Sequence, residues 1–124
     1  MKVEILIAES CLHLEPLTME RCGAVARFDG IVRSLEDGRE IDGSFYESYA
    51  PMAEKTVLDI LTELGRIHPS AFARVHHRVG FVPVGETAIS MDAHTKHRAG
   101  AFAVLQTFMD RLKKDVPIWK KSAR

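Results

Sequence analysis

The chain has 124 residues, of which 46% are hydrophobic and 27% charged. That is enough for one domain with one core, excludes a disordered or fibrous chain, and leaves no room for two independent cores. Seventeen Lys/Arg and seventeen Asp/Glu cancel to a net charge of zero, which argues against bulk attraction to nucleic acid or to an anionic membrane. The zero conceals an asymmetry: residues 1–64 carry 6 basic against 13 acidic side chains (net −7), and residues 65–124 carry 11 against 4 (net +7). Either the halves neutralise one another across the fold, or the second half concentrates a cationic site.

Val3, Ile5 and Ile7 alternate as on a half-buried strand running to Ala8. A single Lys, an internal acidic residue and the lack of a small-residue cleavage site make this segment a strand rather than a signal peptide. No apolar stretch approaches the roughly 20 residues of a membrane span, so a cytoplasmic protein with no membrane role is expected. Glu9–Arg21 has weak periodicity and contains Pro16, which predicts a loop with at most a short helix. Cys11 and Cys22 show neither a CxxC nor a Cys/His zinc spacing and are expected to be small buried hydrophobes, with no metal and no cofactor.

Gly23–Arg33 is a strand with a bulge or bend at Asp29-Gly30, presenting Arg33 at its end. Asp37-Gly38 predicts a hairpin turn leading into a second strand over Ile41–Tyr49. Pro51 opens a helix whose stripe is Ala53, Val57, Ile60, Leu61 and Leu64, with Gly65 and Pro69 ending it. Phe72–Val79 and Thr87–Ala93 read as two further strands joined through Gly80, Pro83 and Gly85. A second helix is predicted over Lys96–Lys114, with Phe102, Leu105, Met109 and Leu112 as its buried stripe and a basic last turn. Val116-Pro117 breaks it, and Ile118–Lys121 is extended. The order β, ββ, α, ββ, α favours a two-layer α+β domain over residues 1–124, with helices packed on a largely antiparallel sheet.

Phosphate loops, nucleophile elbows and zinc-protease helices are all absent from the sequence. Scattered cations stand out instead: Arg33 at a strand end, His97-Arg98 at a helix start, Lys113-Lys114 at that helix's end, and Lys120-Lys121 beside Trp119. For any one of them a solvated surface charge is the commoner explanation. His76 and His77 sit on alternating faces of a strand, one toward packing and one toward solvent. Tyr46, Tyr49 and Met52 fit core or interface packing better than a pocket wall, and Trp119 fits either a site wall or a hydrophobic anchor.

Five blocks, GAVARFDGIVR, YESYAPMAEK, VHHRVGFVPVGE, the His97-Arg98 pair and MDRLKKDVPIWKK, occur in the order and approximate spacing of the MoaE family, the large catalytic subunits of molybdopterin synthases. The resemblance covers about Gly23 to Lys121. It implies the MoaE-like alpha/beta hammerhead fold and a sulfurtransferase of molybdenum cofactor biosynthesis. The substrate would be cyclic pyranopterin monophosphate. The sulfur would come from a small ubiquitin-like carrier that inserts a thiocarboxylated C-terminal Gly-Gly. The family's substrate-contacting strand end falls on Ile31, Val32 and Arg33, its His-Arg pair on His97 and Arg98, its two functional lysines on Lys113 and Lys120, and further substrate-contacting positions on Lys121 and Ser122.

These residue types suit two anionic ligands, because Arg offers a bidentate fork and a helix start offers oriented N–H groups. A lysine crowded by other cations or partly desolvated can transfer protons or act as a nucleophile. His97 and Lys113, sixteen residues apart on one predicted helix, would be separated by about 24 Å. A site using both therefore implies a homodimer with shared sites, and one carrier per site makes a heterotetramer. Two other readings remain open. One is a noncatalytic α+β module binding an anionic metabolite or nucleotide. The other is a degenerate subunit keeping only carrier binding, motivated by Ser122, where family members commonly carry Glu, and by the chain's end at Arg124, short of the family's usual C-terminal stretch.

Overall fold

The computed structural model describes residues 1–124, apart from the side chain at position 70. Nine strands and two helices follow in the order β1 (Lys2–Ala8), β2 (Ala24–Ile31), β3 (Leu35–Glu36), β4 (Arg39–Glu40), β5 (Gly43–Ser48), α1 (Ala50–Ile67), β6 (Ser70–Arg78), β7 (Gly80–Pro83), β8 (Thr87–Thr95), α2 (Arg98–Asp115) and β9 (Ile118–Ala123). The main sheet has the order β1-β6-β8-β2. Its β1–β6 pair is parallel and the other pairs are antiparallel. Both helices lie on one face, where Ala73, Val75, Ile89, Met91 and Ala93 of the sheet meet Val57, Ile60, Leu61, Val104 and Phe108 in one core. The expected helices-on-sheet architecture is therefore present.

The other face of the main sheet is roofed by the irregular segment after β1. Arg74 and Asp92 form a buried ion pair there, with Nε to Oδ1 at 3.1 Å. Arg74 Nη2 also donates to the Glu15 carbonyl at 2.9 Å, and Arg27 Nη1 to the Leu14 carbonyl at 2.6 Å. Those two carbonyl contacts satisfy loop backbone groups that burial would otherwise leave without partners. Cys11 is exposed and Cys22 only partly buried, which corrects the expectation of two buried cysteines: both lie on this polar roof rather than in the core.

Three further expectations are revised. The segment after Asp37-Gly38 is two strands, not one: β3 and β4 form a separate hairpin, while β5 is the middle of a second sheet of order β7-β5-β9. Both turn residues have positive φ, 51° and 75°, the geometry of a tight hairpin turn. Gly80–Pro83, expected as a connector, is that sheet's strand β7. Helix α1 continues past Gly65 to Ile67, and Gly65 lies against Met1, whose Cε is 2.8 Å from where a Cβ would stand.

The buried residues of α2 are Ala101, Val104, Phe108 and Leu112: Leu112 is buried as expected, and the other three stand one position before Phe102, Leu105 and Met109. Leu105 and Met109 are only partly buried, and Phe102 is 64% exposed. The helix is apolar around more than one face, so periodicity alone could not select which face meets the core. Neither helix is long and apolar enough to cross a membrane.

Candidate functional site

A cleft of about 400 Å³ opens where the C-terminal end of α2 meets the junction of the two sheets. Lys113 enters it from α2, Lys120 and Trp119 from β9, Tyr46 from β5, His77 from β6 and Ile31 from the end of β2. Local structure explains each placement. Beyond Ile31 the chain is held by the turn after β7, where Val32 N–H donates to the Glu86 carbonyl at 3.1 Å and Gly85 N–H to the Val32 carbonyl at 2.9 Å. Gly85 adopts φ 86°, a left-handed conformation that a side chain would strain. Val32 itself is core, 5% exposed among Ile41, Val82 and Ala88, so its side chain does not face the cleft. Arg33, one residue on, is exposed and lines a small depression shared with Glu36, Tyr46 and Lys120.

Strand β9 pairs with β5, and the register slips between Phe45 and Tyr46: Lys120 lies opposite Tyr46, Ser122 opposite Phe45, and Lys121 has no opposite number. Lys120 therefore shares the cleft face with Tyr46. Its Nζ is 2.5 Å from Glu36 Oε1 on the β3–β4 hairpin. Lys121 is bulged onto the opposite face, where its Nζ is 3.1 Å from Glu47 Oε1 and it lines a separate depression with Glu9, Phe45 and Trp119. Lys113 and Arg33 have no ion-pair partner among the described residues, and their charges are available to an anion.

Of the residues expected at the site, then, Ile31, Arg33, Lys113 and Lys120 come together, while Val32 lines only the neighbouring depression. Lys121 and Ser122 are not part of the cleft lining. His97 and Arg98 stand at the opposite end of α2. His97 occupies the position before the first turn without a side-chain capping bond, its carbonyl accepts the Thr95 hydroxyl at 2.6 Å, and it lines a groove with Ile67, Pro69 and Gly100.

The sequence reading missed two cleft residues and one neighbour. His77 is 6% exposed, packs edge-on against Tyr46 with ring centroids 5.6 Å apart, and donates from Nδ1 to the Arg78 carbonyl at 2.8 Å. Burial pushes its imidazole below the ordinary value, opposed by that carbonyl bond. The alternation in VHHR signalled that one histidine faces inward, and this is that one; His76 is turned the other way and bonds Glu4 Oε2 at 2.7 Å. Tyr46, expected as packing, lines the cleft, whereas Tyr49 and Met52 are exposed. Glu36 carried no signal, because its role depends on a contact 84 residues away.

A family model described as "MoaE protein" matches residues 4–115. The chain belongs to the MoaE family. The matched span includes Ile31, Val32, Arg33, His97, Arg98 and Lys113, and stops before Lys120. Among MoaE relatives, the "Molybdopterin synthase catalytic subunit" of Culex quinquefasciatus is 41% identical over 108 residues, 86% of this chain and 69% of that protein. The human protein of the same name is 38% identical over 112 residues, 90% of this chain and 57% of that protein. This chain thus spans little more than half the length of its human relative. Among solved structures, a MoaE protein of Burkholderia ambifaria superposes with a TM-score of 0.82 at 30% identity, covering 98% of this chain and 83% of that one. A molybdopterin synthase structure from Staphylococcus aureus gives 0.80 at 29% identity, covering 98% and 93%. The fold described above is therefore the MoaE fold.

Proposed function

We propose that this chain is the catalytic subunit of a molybdopterin synthase. It takes sulfur from the thiocarboxylate at the C-terminal Gly-Gly of a small ubiquitin-like carrier and transfers it to cyclic pyranopterin monophosphate, forming the dithiolene of molybdopterin. The observation that carries this reading is the cleft itself: Lys113 from the last turn of α2 and Lys120 from β9 enter one cavity beside Arg33 in a MoaE fold. Phosphate and thiocarboxylate are both anions, and a fork-shaped guanidinium next to two ammonium groups suits them. A carrier tail without side chains suits a cleft of about 400 Å³, since glycines fit where larger residues clash.

The site is completed by a second copy. Residues 97 and 113 lie at opposite ends of α2, about 24 Å apart by helix rise. An apolar groove of about 640 Å³, lined by Phe28, Phe102, Leu105, Gln106 and Met109, runs between those ends. Phe28 and Met109 also line the cleft, so a partner seated on the groove reaches the cleft directly. A two-fold dimer would give two sites, each with Arg33, Lys113 and Lys120 of one copy and His97 and Arg98 of the other, and a heterotetramer once each holds a carrier.

The test is reconstitution. Incubated with a thiocarboxylated carrier and the pyranopterin, the protein is expected to yield the dithiolene. Binding of both ligands without product would instead identify an anion-binding module or a subunit that has lost turnover.

A further inference from the structure

We propose that His77 is the proton acceptor of the cleft, its Nε2 taking the proton from the water that frees the carrier after sulfur delivery. This rests on the synthase reading above. A thiocarboxylate sulfur that bonds to a substrate carbon still holds the carrier through its acyl–sulfur bond. Release requires water to add to the acyl carbon while losing one proton to a base. The acyl–sulfur bond then breaks with its electron pair leaving on sulfur. The protonated base returns the proton to that sulfur, and the carrier's new carboxylic acid gives its remaining proton to solvent.

The cleft holds few groups able to be that base. Its titratable lining side chains are Tyr46 from β5, His77 from β6, Lys113 from α2 and Lys120 from β9. Of these, His77 is the one whose hydrogen bonding in the structure defines a free acceptor, and Glu36 lines the neighbouring depression rather than the cleft. On either side of His77 in the main sheet the register places Ile7 and Ile89, so neither neighbouring strand presents a charge to the imidazole. The bond from Nδ1 to the Arg78 carbonyl places the proton on Nδ1 and leaves Nε2 as the ring's acceptor. No described residue occupies Nε2, and Tyr46 against the ring holds its plane. Burial favours the neutral imidazole, the form a base needs.

The experiment follows the intact protein with thiocarboxylated carrier and pyranopterin in single turnover, comparing wild type with H77Q and H77N by intact-mass spectrometry. Carrier release is expected to slow by about 100-fold or more in the variants, while bond formation to the substrate persists, so the carrier–pterin adduct accumulates. The acidic limb of the wild-type pH profile for release should disappear in H77Q. Release from H77Q at the wild-type rate, or equal loss of adduct formation and release, would overturn the proposal. Should the variants fold poorly, nitrogen-15 NMR of the wild-type imidazole decides: an Nδ1–H tautomer whose Nε2 resonance moves on adding the carrier is expected, and an Nε2–H tautomer would overturn it. A wild-type protein forming no dithiolene would sink the synthase reading and this inference together, whereas wild-type turnover with an unaltered H77Q sinks the inference alone.

Discussion

The cations of the cleft differ in what already neutralises them. Lys113 and Arg33 stand without a carboxylate, while Lys120 is paired with Glu36. Lys113→Ala and Lys120→Ala should each cut sulfur transfer by orders of magnitude while leaving thermal unfolding nearly unchanged, because both residues are exposed; near-normal turnover in both would remove them from the chemistry. Arg33→Ala should weaken ligand binding by roughly 1.5 to 3 kcal/mol, the range of a charge-assisted contact, as read by calorimetry with the carrier and with the pterin. Glu36→Gln should act in the opposite direction. An anion reaching Lys120 must displace that carboxylate, so its neutral replacement should tighten anion binding severalfold and leave folding stability within about 1 kcal/mol. His77 adds a pH signature. Its folded-state value lies below the ordinary 6.5, so the unfolded chain binds more protons in the window between the two. Its contribution to stability is complete above about pH 6.5 and is lost as pH falls through the folded value. Denaturant midpoints of wild type should therefore drop on acidification more steeply than those of a folded H77Q protein.

At the scale of elements, the turn that holds Val32 is the part of the frame on which Arg33 depends. Gly85→Ala would force a side chain into φ 86°, costing about 1 to 2 kcal/mol, and should raise the substrate concentration needed for half-saturation more than it lowers the melting temperature. Much of this frame was legible in the sequence. Alternation revealed β1, the Asp37-Gly38 pair revealed its hairpin, and a clean stripe with an opening proline revealed α1. The core face of α2 was not legible, because Phe102 and Phe108 both sit at helical spacing from apolar neighbours and only tertiary packing chooses between them. Strand β7 was hidden by its Gly80 and Pro83, which read as a connector although an edge strand tolerates both. At the site, Lys113 and Lys120 were legible through family resemblance. The bulge that turns Lys121 away was not, because it arises from pairing with β5 across more than seventy positions.

Across the whole molecule, the charge asymmetry resolves into specific pairs. Glu4 meets His76, Glu36 meets Lys120, Glu47 meets Lys121, and Glu63 meets Arg111, each joining the acidic first half to the second. The cations left over include Lys113 and Arg98, at the two ends of α2. If a partner's groove brings those ends together, a hybrid dimer made from an H97A/R98A chain and a K113A/K120A chain should regain one intact site. Verified hybrids with no recovery, or an active monomer, would refute shared sites. Phe102→Asp, at the exposed centre of the apolar groove, should yield monomers by sedimentation with an intact fold.

The pairing of β9 carries one more consequence. This strand pairs only with β5 and lies at the margin of its sheet, yet it delivers both Trp119 and Lys120 to the cleft, while its share of the main core is the partly buried Ile118. Peeling β9 away would therefore dismantle the cleft at a free energy well below that of global unfolding. Amide hydrogen exchange should show β9 opening far more often than β6 or β8, and bound carrier should slow it. Catalytic competence would then be governed by a local opening equilibrium that a melting curve does not register.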